Sequence, residues 1–229
     1  AIGMSSAVSM ICMIPADVSF ATSAQRIFAG SNSFSLIAIP FFILAGNIMN
    51  NGGIATRLVN CAKVISGRMP GALAQSNVVA NMLFGAISGS GAAAAAAMGG
   101  TIGPLEEKEG YDKNYSTAVN VASAPVGMLI PPSNTMIVYS SVAGSVSIAA
   151  LFMAGYIPGL LWGGAVMILA GIMAKKRGYQ AEQRVPVKVA LKTFWQAIPS
   201  LLLIVIVIGG ILGGIFTATE GSAIAVVYA

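Results

Sequence analysis

Histidine is absent from the 229 residues, cysteine occurs twice, and charged residues make up only 8%. Each shortage excludes something. Without histidine the chain lacks the usual general base near neutral pH and the commonest metal ligand. Cys12 and Cys61 lie far apart and read as small apolar fillers rather than a disulfide or a metal pair. A soluble domain carries about 25% charged residues to keep its surface in water, and this chain cannot cover such a surface. Disorder, collagen-like repeats and soluble nucleic-acid binding are excluded with it. What is plentiful is apolar: hydrophobic residues supply 56%, so the surface is expected to face lipid. The net charge of +5, from 12 Lys+Arg against 7 Asp+Glu, is confined to a few clusters of the kind that orient a membrane protein. The chain opens at Ala1 inside an apolar stretch with no secretory signal, which points to a fragment.

A membrane helix needs roughly 20 apolar residues, so the charges mark where the chain can surface. The uncharged stretches cover residues 27–56, 69–105, 114–174 and 193–219. Only the first and last read as single crossings. Lys175, Lys176 and Arg177 form the densest basic cluster, which places their loop in the cytoplasm. Arg57, Lys63 and Arg68 form a second basic group. Around it Ile54, Leu58, Cys61 and Ile65 recur at helical spacing, with Arg57 and Lys63 off the stripe. That pattern fits a short helix over residues 54–67 lying in the interface plane. The helix before it, about 35–49, then runs from outside to inside, capped by Asn32 or Ser33 and ended by residues 50–53. Asp17 and Arg26 are expected on the outer loop surface or as an ion pair.

The stretch 69–105 is bounded by Arg68 on one side and Lys108 with Lys113 on the other. If both groups are cytoplasmic, the chain enters and returns. Two full spans plus a loop do not fit that length. Its middle, Gly85-Ala86-Ile87-Ser88-Gly89-Ser90-Gly91, is a poor helix interior. A re-entrant hairpin follows: an arm over 71–87, a tip at 88–91 and a return arm over 92–103. Non-helical backbone at mid-membrane is tolerable only when buried in protein or lining a wet cavity. The next stretch holds two crossings, about 117–143 and 150–173. The first is interrupted by Ile130-Pro131-Pro132-Ser133-Asn134, where two prolines remove backbone donors and break the helix. Ser133 or Asn134 can cap the restart. Residues 185–196, with Lys188, Lys192 and Trp195, read as a second interfacial arm, and 197–216 as a further span. Thr217-Ala218-Thr219-Glu220 has capping-box spacing and opens another helix.

The tip and the proline break are expected at one depth. Helix ends expose unpaired amides or carbonyls that act as partial charges. Two such breaks facing each other make a small polar cage suited to Na⁺ at the carbonyl ends and to a carboxylate at the amide ends. Ser88, Gly89, Ser90, Pro131, Ser133 and Asn134 are assigned to Na⁺; Ser90, Pro132 and Ser133 to the substrate. No charged side chain lies in either break, which disfavours a proton relay there. Each element also has a plainer reading: a small-residue packing arm over 92–103, a simple loop at Ser-Gly-Ser, a proline kink. Glu106, Glu107, Glu109 and Asp112 are expected to solvate the base of the hairpin. Asn47 and Asn120 are candidate interhelical hydrogen-bond partners, and Tyr156, Trp162 and Trp195 are anchors or packing.

Four blocks carry a resemblance. Residues 35–42 with Leu44-Ala45-Gly46, the Phe84–Ser90 segment, Ile130-Pro131-Pro132-Ser133, and Leu151–Gly155 with Pro158-Gly159 are similar, in order, to the large membrane (M) subunit of tripartite ATP-independent periplasmic (TRAP) transporters, in its N-terminal half. The resemblance implies a multi-pass inner-membrane protein, all-α, with a re-entrant helical hairpin (69–105) and a discontinuous helix (114–145) that form the moving element of an elevator, first of two inverted repeats. Residues 1–67 are then scaffold-type helices with an arm, 150–196 a span and an arm, and 197–229 the start of the second repeat. It implies Na⁺-driven import of an organic acid of the C4-dicarboxylate or sialic acid type. The implied partners are a small four-helix membrane subunit and a periplasmic substrate-binding protein. A complete subunit is nearly twice as long. The residues leave two other classes open: a pore-type channel with a re-entrant filter, and a non-transporting membrane scaffold. An intramembrane enzyme is not expected.

Overall fold

Every regular element among the described residues is helical, the form in which an apolar segment satisfies its own backbone without water. The structure, a computed structural model, describes residues 2–144, 146–179 and 186–229. An N-terminal pair, α1 (Ile2–Met13) and α2 (Ala16–Ser31), is followed by α3 (Ala38–Asn51) and α4 (Ile54–Ser66). The centre comprises α5 (Ala72–Ser88), α6 (Gly91–Thr101), α7 (Gly103–Lys108), α8 (Lys113–Ser123), α9 (Val126–Leu129) and α10 (Asn134–Ala143). Two long helices, α11 (Ile148–Arg177) and α12 (Val187–Leu212), precede α13 (Ala218–Tyr228). By length and composition α11 and residues 188–212 of α12 can each cross a membrane. Two bent pairs add up to two more crossings: residues 113–129 with 134–143, bent by 48°, and 16–30 with 34–50, bent by 57°.

Helix α5 is the hub. It is buried along nearly its whole length and touches α3, α4, α6, α8, α9 and α11. Most of its polar side chains find partners inside the protein, although Gln75 Oε1 and Asn81 Oδ1 have none. Gln75 Nε2 donates to Met167 O at 2.9 Å; Ser76 Oγ donates to Ala72 O at 2.7 Å and lies 3.0 Å from Ser66 Oγ. Helices α5 and α6 and the joint between them fall within a residue or two of the bounds expected for the two arms and the tip, because the Ser-Gly-Ser-Gly run holds both the end of one helix and the cap of the next. The proline break is likewise where expected. Ser133, not Asn134, caps α10, accepting from Met136 N at 3.4 Å. The same rod has an earlier interruption, between Ser123 and Val126, beside Pro125. Thr217 and Glu220 form the capping box of α13.

Several expectations are corrected. Residues 185–196 and 197–216 are not an arm and a separate span: α12 runs unbroken from Val187 to Leu212, and Val185 lies outside the described residues. Pro199 inside it leaves the helix continuous, since a proline removes one hydrogen bond while the flanking apolar turns stay packed. Asp17 and Arg26 are exposed on α2, not in a loop; Asp17 sits in the first turn, where a carboxylate complements the helix amides. Neither Asn32 nor Ser33 caps α3. Asn32 ends α2, and Ser33 opens a 3-10 turn over Phe34–Ile37 without a side-chain bond. The helix over 54–66 exists, but Leu58, Val59, Cys61 and Ala62 are buried while Ile65 is 58% exposed. Its inner face is set by α5 and α12, which pack on it. Cys61 is the apolar filler expected, whereas Cys12 is exposed.

Candidate functional site

Gly89 ends α5 with φ +62°, and its N–H bonds back to Gly85 O. Only glycine enters that left-handed region without cost. A Cβ there would also meet Pro132 O at 3.0 Å and Asn134 N at 3.1 Å, so the break fits directly onto the tip. Asn134 is the joint. Its N–H donates to Gly89 O at 3.2 Å and its Nδ2 to Ser88 O at 3.3 Å. Its Oδ1 is buried and accepts no hydrogen bond. The carbonyl end of α5 and the amide end of α10 thus share one contact, with an unused amide oxygen beside it.

The other predicted residues are placed differently. Ser88 Oγ lies 3.4 Å from both Ser90 N and Ser90 O, within the tip. Ser90 Oγ caps α6 by accepting from Ala93 N at 3.3 Å. Ser90 faces, with Ser88, Gly46, Asn47 and Asn50, a cavity of about 330 Å³ between the tip and α3. Gly46 is close-packed there: a Cβ on it would lie 3.1 Å from Ser88 Cβ. Ser133 is fully buried, and its hydroxyl donates to Met128 O, across the break. Pro131 and Pro132 are buried, Pro132 beside Phe42, Ala86 and Leu203. The structure therefore brings Ser88, Gly89, Pro132 and Asn134 together. It turns Ser90 toward α3 and commits Ser133 to the break itself.

A polar seam runs from this joint along α5 and α8. Gly85 and Gly127 touch backbone to backbone, since a Cβ on Gly85 would fall 2.1 Å from Gly127 Cα. Below them Asn81 Nδ2 lies 2.8 Å from Asn77 Oδ1, 3.0 Å from Asn120 Oδ1 and 2.9 Å from Ser123 Oγ. Asn120 Nδ2 donates to Ala95 O at 2.9 Å. The expected interhelical role of Asn120 is met; Asn47 is exposed and lines the α3 cavity instead. Trp162 Nε1 donates to Ala122 O at 2.9 Å, tying α11 to α8, while Trp195 is 66% exposed. Asn77 and Asn81 carried a signal that sequence reasoning passed over, polar residues four apart on an otherwise apolar arm. So did Gly155, Gly159 and Gly163, which bring α11 onto Leu129, Ile130 and Met82.

At the base, Glu106 is 1% exposed and does not solvate the hairpin. The short helix α7 turns it inward, under α5 and α8. Glu107 and Glu109 are exposed as expected. Asp112 caps α8, accepting from Tyr115 N at 2.9 Å, and pairs with Arg177 at 2.9 Å. Both those bonds hold its carboxyl below the usual range. Both groups are open to solvent, which screens the pair, so it contributes little to stability.

The family model of the tripartite ATP-independent periplasmic transporter DctM component matches residues 1–229. The chain belongs to that family. The DctM family is one of transporter components rather than enzymes, its members are inner-membrane proteins, and the resemblance to the large subunit's N-terminal half is borne out. Among relatives, a protein designated YgiK from Salmonella typhimurium (strain LT2) is 55% identical over 228 residues, covering 100% of this chain and 52% of that protein. The C4-dicarboxylate TRAP transporter large permease protein DctM of Vibrio cholerae is 43% identical, over 93% of this chain and 47% of its own length. The sialic acid TRAP transporter large permease protein SiaM of the same organism is 40% identical, over 90% and 48%. The chain spans about half the length of the curated relatives it matches.

Proposed function

We propose that this chain supplies the first of two inverted repeats of a Na⁺-coupled importer of an organic acid, working by an elevator motion in which α5–α6 and α8–α10 move as one body. The acid belongs to the C4-dicarboxylate or sialic acid class, in keeping with the names of two relatives. A periplasmic binding protein delivers it, and a small four-helix membrane subunit completes the permease. The re-entrant placement of the tip belongs to the same reading.

The observation that carries it is Asn134. Its Oδ1 is a buried acceptor with no partner, and it stands beside the Ser88 and Gly89 carbonyls, each of which keeps a second lone pair. Leaving such an oxygen unsatisfied costs about 1–3 kcal/mol; a Na⁺ ion would use it together with the carbonyls. Ion binding would lock tip to break, and the amide ends of α6 and α10 would then receive a carboxylate. Coupling follows, because the acid finds its site only when the ion has fixed that geometry.

A second reading, a non-transporting packing device, is favoured by one observation: the Ser90 and Ser133 hydroxyls are both used as helix caps. Uptake into proteoliposomes holding the complete transporter and its binding protein, with and without a Na⁺ gradient, separates the two. Gly89→Leu should abolish Na⁺-dependent uptake while membrane insertion persists; normal uptake by that variant rejects the carrier. Replacing Ser90 and Ser133 together by Ala should lower uptake at least tenfold. Unchanged activity in that double variant favours the packing reading.

A further inference from the structure

Glu106 poses a problem that the tip and break do not address. The residue is 1% exposed, and neither carboxyl oxygen has a hydrogen-bond partner. Ser116, across from it on α8 and itself buried, has an unpartnered hydroxyl as well. Both line one cavity of about 350 Å³, enclosed by α5, α6, α7 and α8, whose walls also carry Asn77 and Asn120. The charged groups on this cavity besides Glu106 are Glu107 and Lys113, both exposed at its mouth, and Tyr111 contributes a phenol. No ion pair joins Lys113 to Glu106 among the described residues. A carboxylate removed from water without a partner costs several kcal/mol. Burial accordingly pushes this carboxyl up to about 7, a shift that Ser116 offsets only in part, being near without making a hydrogen bond of normal geometry.

We propose that this cavity is a binding site for one monovalent cation, with both Glu106 carboxyl oxygens and Ser116 Oγ as its ligands. It lies at the base of the hairpin, the opposite end of α5 from Ser88 and Asn134, and does not depend on what the tip binds. The donor set decides the class of ion. Hard oxygens suit an alkali cation, and a single carboxylate neutralises a single charge; Ca²⁺ sites usually recruit several carboxylates. Among the described residues no group of three acidic, Cys or His side chains could hold a metal of higher charge. The cavity is large enough for the ion to keep several waters. With the ion in place the buried carboxylate is compensated and α7 is tied to α8; without it no hydrogen bond of normal geometry joins Glu106 to Ser116.

The test uses the purified complete permease in detergent, with choline chloride holding ionic strength constant. Binding of ²²Na⁺ is counted per transporter, and the thermal midpoint is titrated separately with NaCl and with KCl, for the wild type, Glu106→Gln, Ser116→Ala and Asn134→Ala. The expected result is a cation-dependent rise in midpoint that Glu106→Gln weakens at least tenfold in half-saturation and Ser116→Ala weakens less; Asn134→Ala removes only the part of the NaCl response that belongs to the tip and leaves the Glu106-dependent part in place. If Na⁺ is the occupant, Glu106→Gln also binds one ²²Na⁺ fewer; if K⁺ is, the loss appears in the KCl titration. Should Glu106→Gln fail to fold, the weakened titration of Ser116→Ala tests the site by itself. Unchanged titrations in both variants, or an equal rise with choline, overturn the site. Failure of the Na⁺ reading at the tip would show in Asn134→Ala alone.

Discussion

At the scale of single residues, two side chains define the chemistry of the two ends of α5: Asn134 at the tip and Glu106 at the base. They differ in what solvent can do to them. Asn134 carries no charge at any pH, so the tip keeps one electrostatic state. Glu106 does not. Its folded value of about 7 stands above the ordinary 4.5 because burial disfavours the anion. The native state therefore holds the proton more tightly than the unfolded chain. That stabilisation is complete below about pH 4.5 and is lost as pH rises through 7. In choline buffer free of Na⁺ and K⁺, the thermal midpoint should fall between pH 5 and 8. The loss is at most about 3 kcal/mol, from 1.36 kcal/mol per unit of displacement. Asp112 and Glu220 shift the opposite way, so their effects fall below this window. Glu106→Gln should flatten the curve; a slope that survives the substitution assigns it to another group.

At the scale of elements, the contact of α5 with α9 decides whether tip and break meet at all. It rests on two residues without side chains. A Cβ on Gly85 would fall 2.1 Å from Gly127 Cα, and one on Gly127 would fall 2.7 Å from Gly85 Cα. Neither neighbour is a flexible side chain that could give way, so one methyl must push the helices apart. Gly85→Ala should cost about 3 kcal/mol, the upper range of overpacking. It should separate Asn134 from Gly89 as well. Gly100→Ala in α6 is the control, since nothing lies within 4 Å of its Cβ position; there the better helix former should be neutral or stabilising by up to about 1 kcal/mol. Thermal melts of the two variants in detergent check both signs. An equally mild effect at Gly85 would mean that the two helices do not touch there.

At the scale of the whole molecule, the hub is one polar-seamed helix with other helices gathered round it, while much of the outer surface stays apolar. Ile157, Leu161, Ile168 and Leu169 on α11 are each at least 61% exposed, as a lipid- or subunit-facing helix should be. The chain corresponds to about half of its curated relatives, and on the proposed reading it supplies one of two repeats. Proteoliposomes containing this chain alone should show no Na⁺-dependent uptake of a C4-dicarboxylate or a sialic acid above empty vesicles. Uptake by the chain alone would mean that a single repeat closes a complete transport path.

Residue types were enough to dictate the class and most of the joints. A chain with so little charge must satisfy its backbone in helices, and Ser-Gly-Ser-Gly and Pro-Pro-Ser-Asn cannot continue one. Those are local facts, legible one segment at a time. The run from Val187 to Leu212 shows the limit of that logic: Lys188, Lys192 and Pro199 are as compatible with an interfacial arm as with the start of one long helix. Which polar atoms meet was settled by packing alone. That Asn134 bridges two carbonyls, that Ser133 serves the break instead, and that Glu106 turns inward while Glu107 beside it faces out depend on how α5, α7, α8 and α10 pack. Burial is a property of neighbours distant in the chain, and no spacing of charges along one segment specifies it.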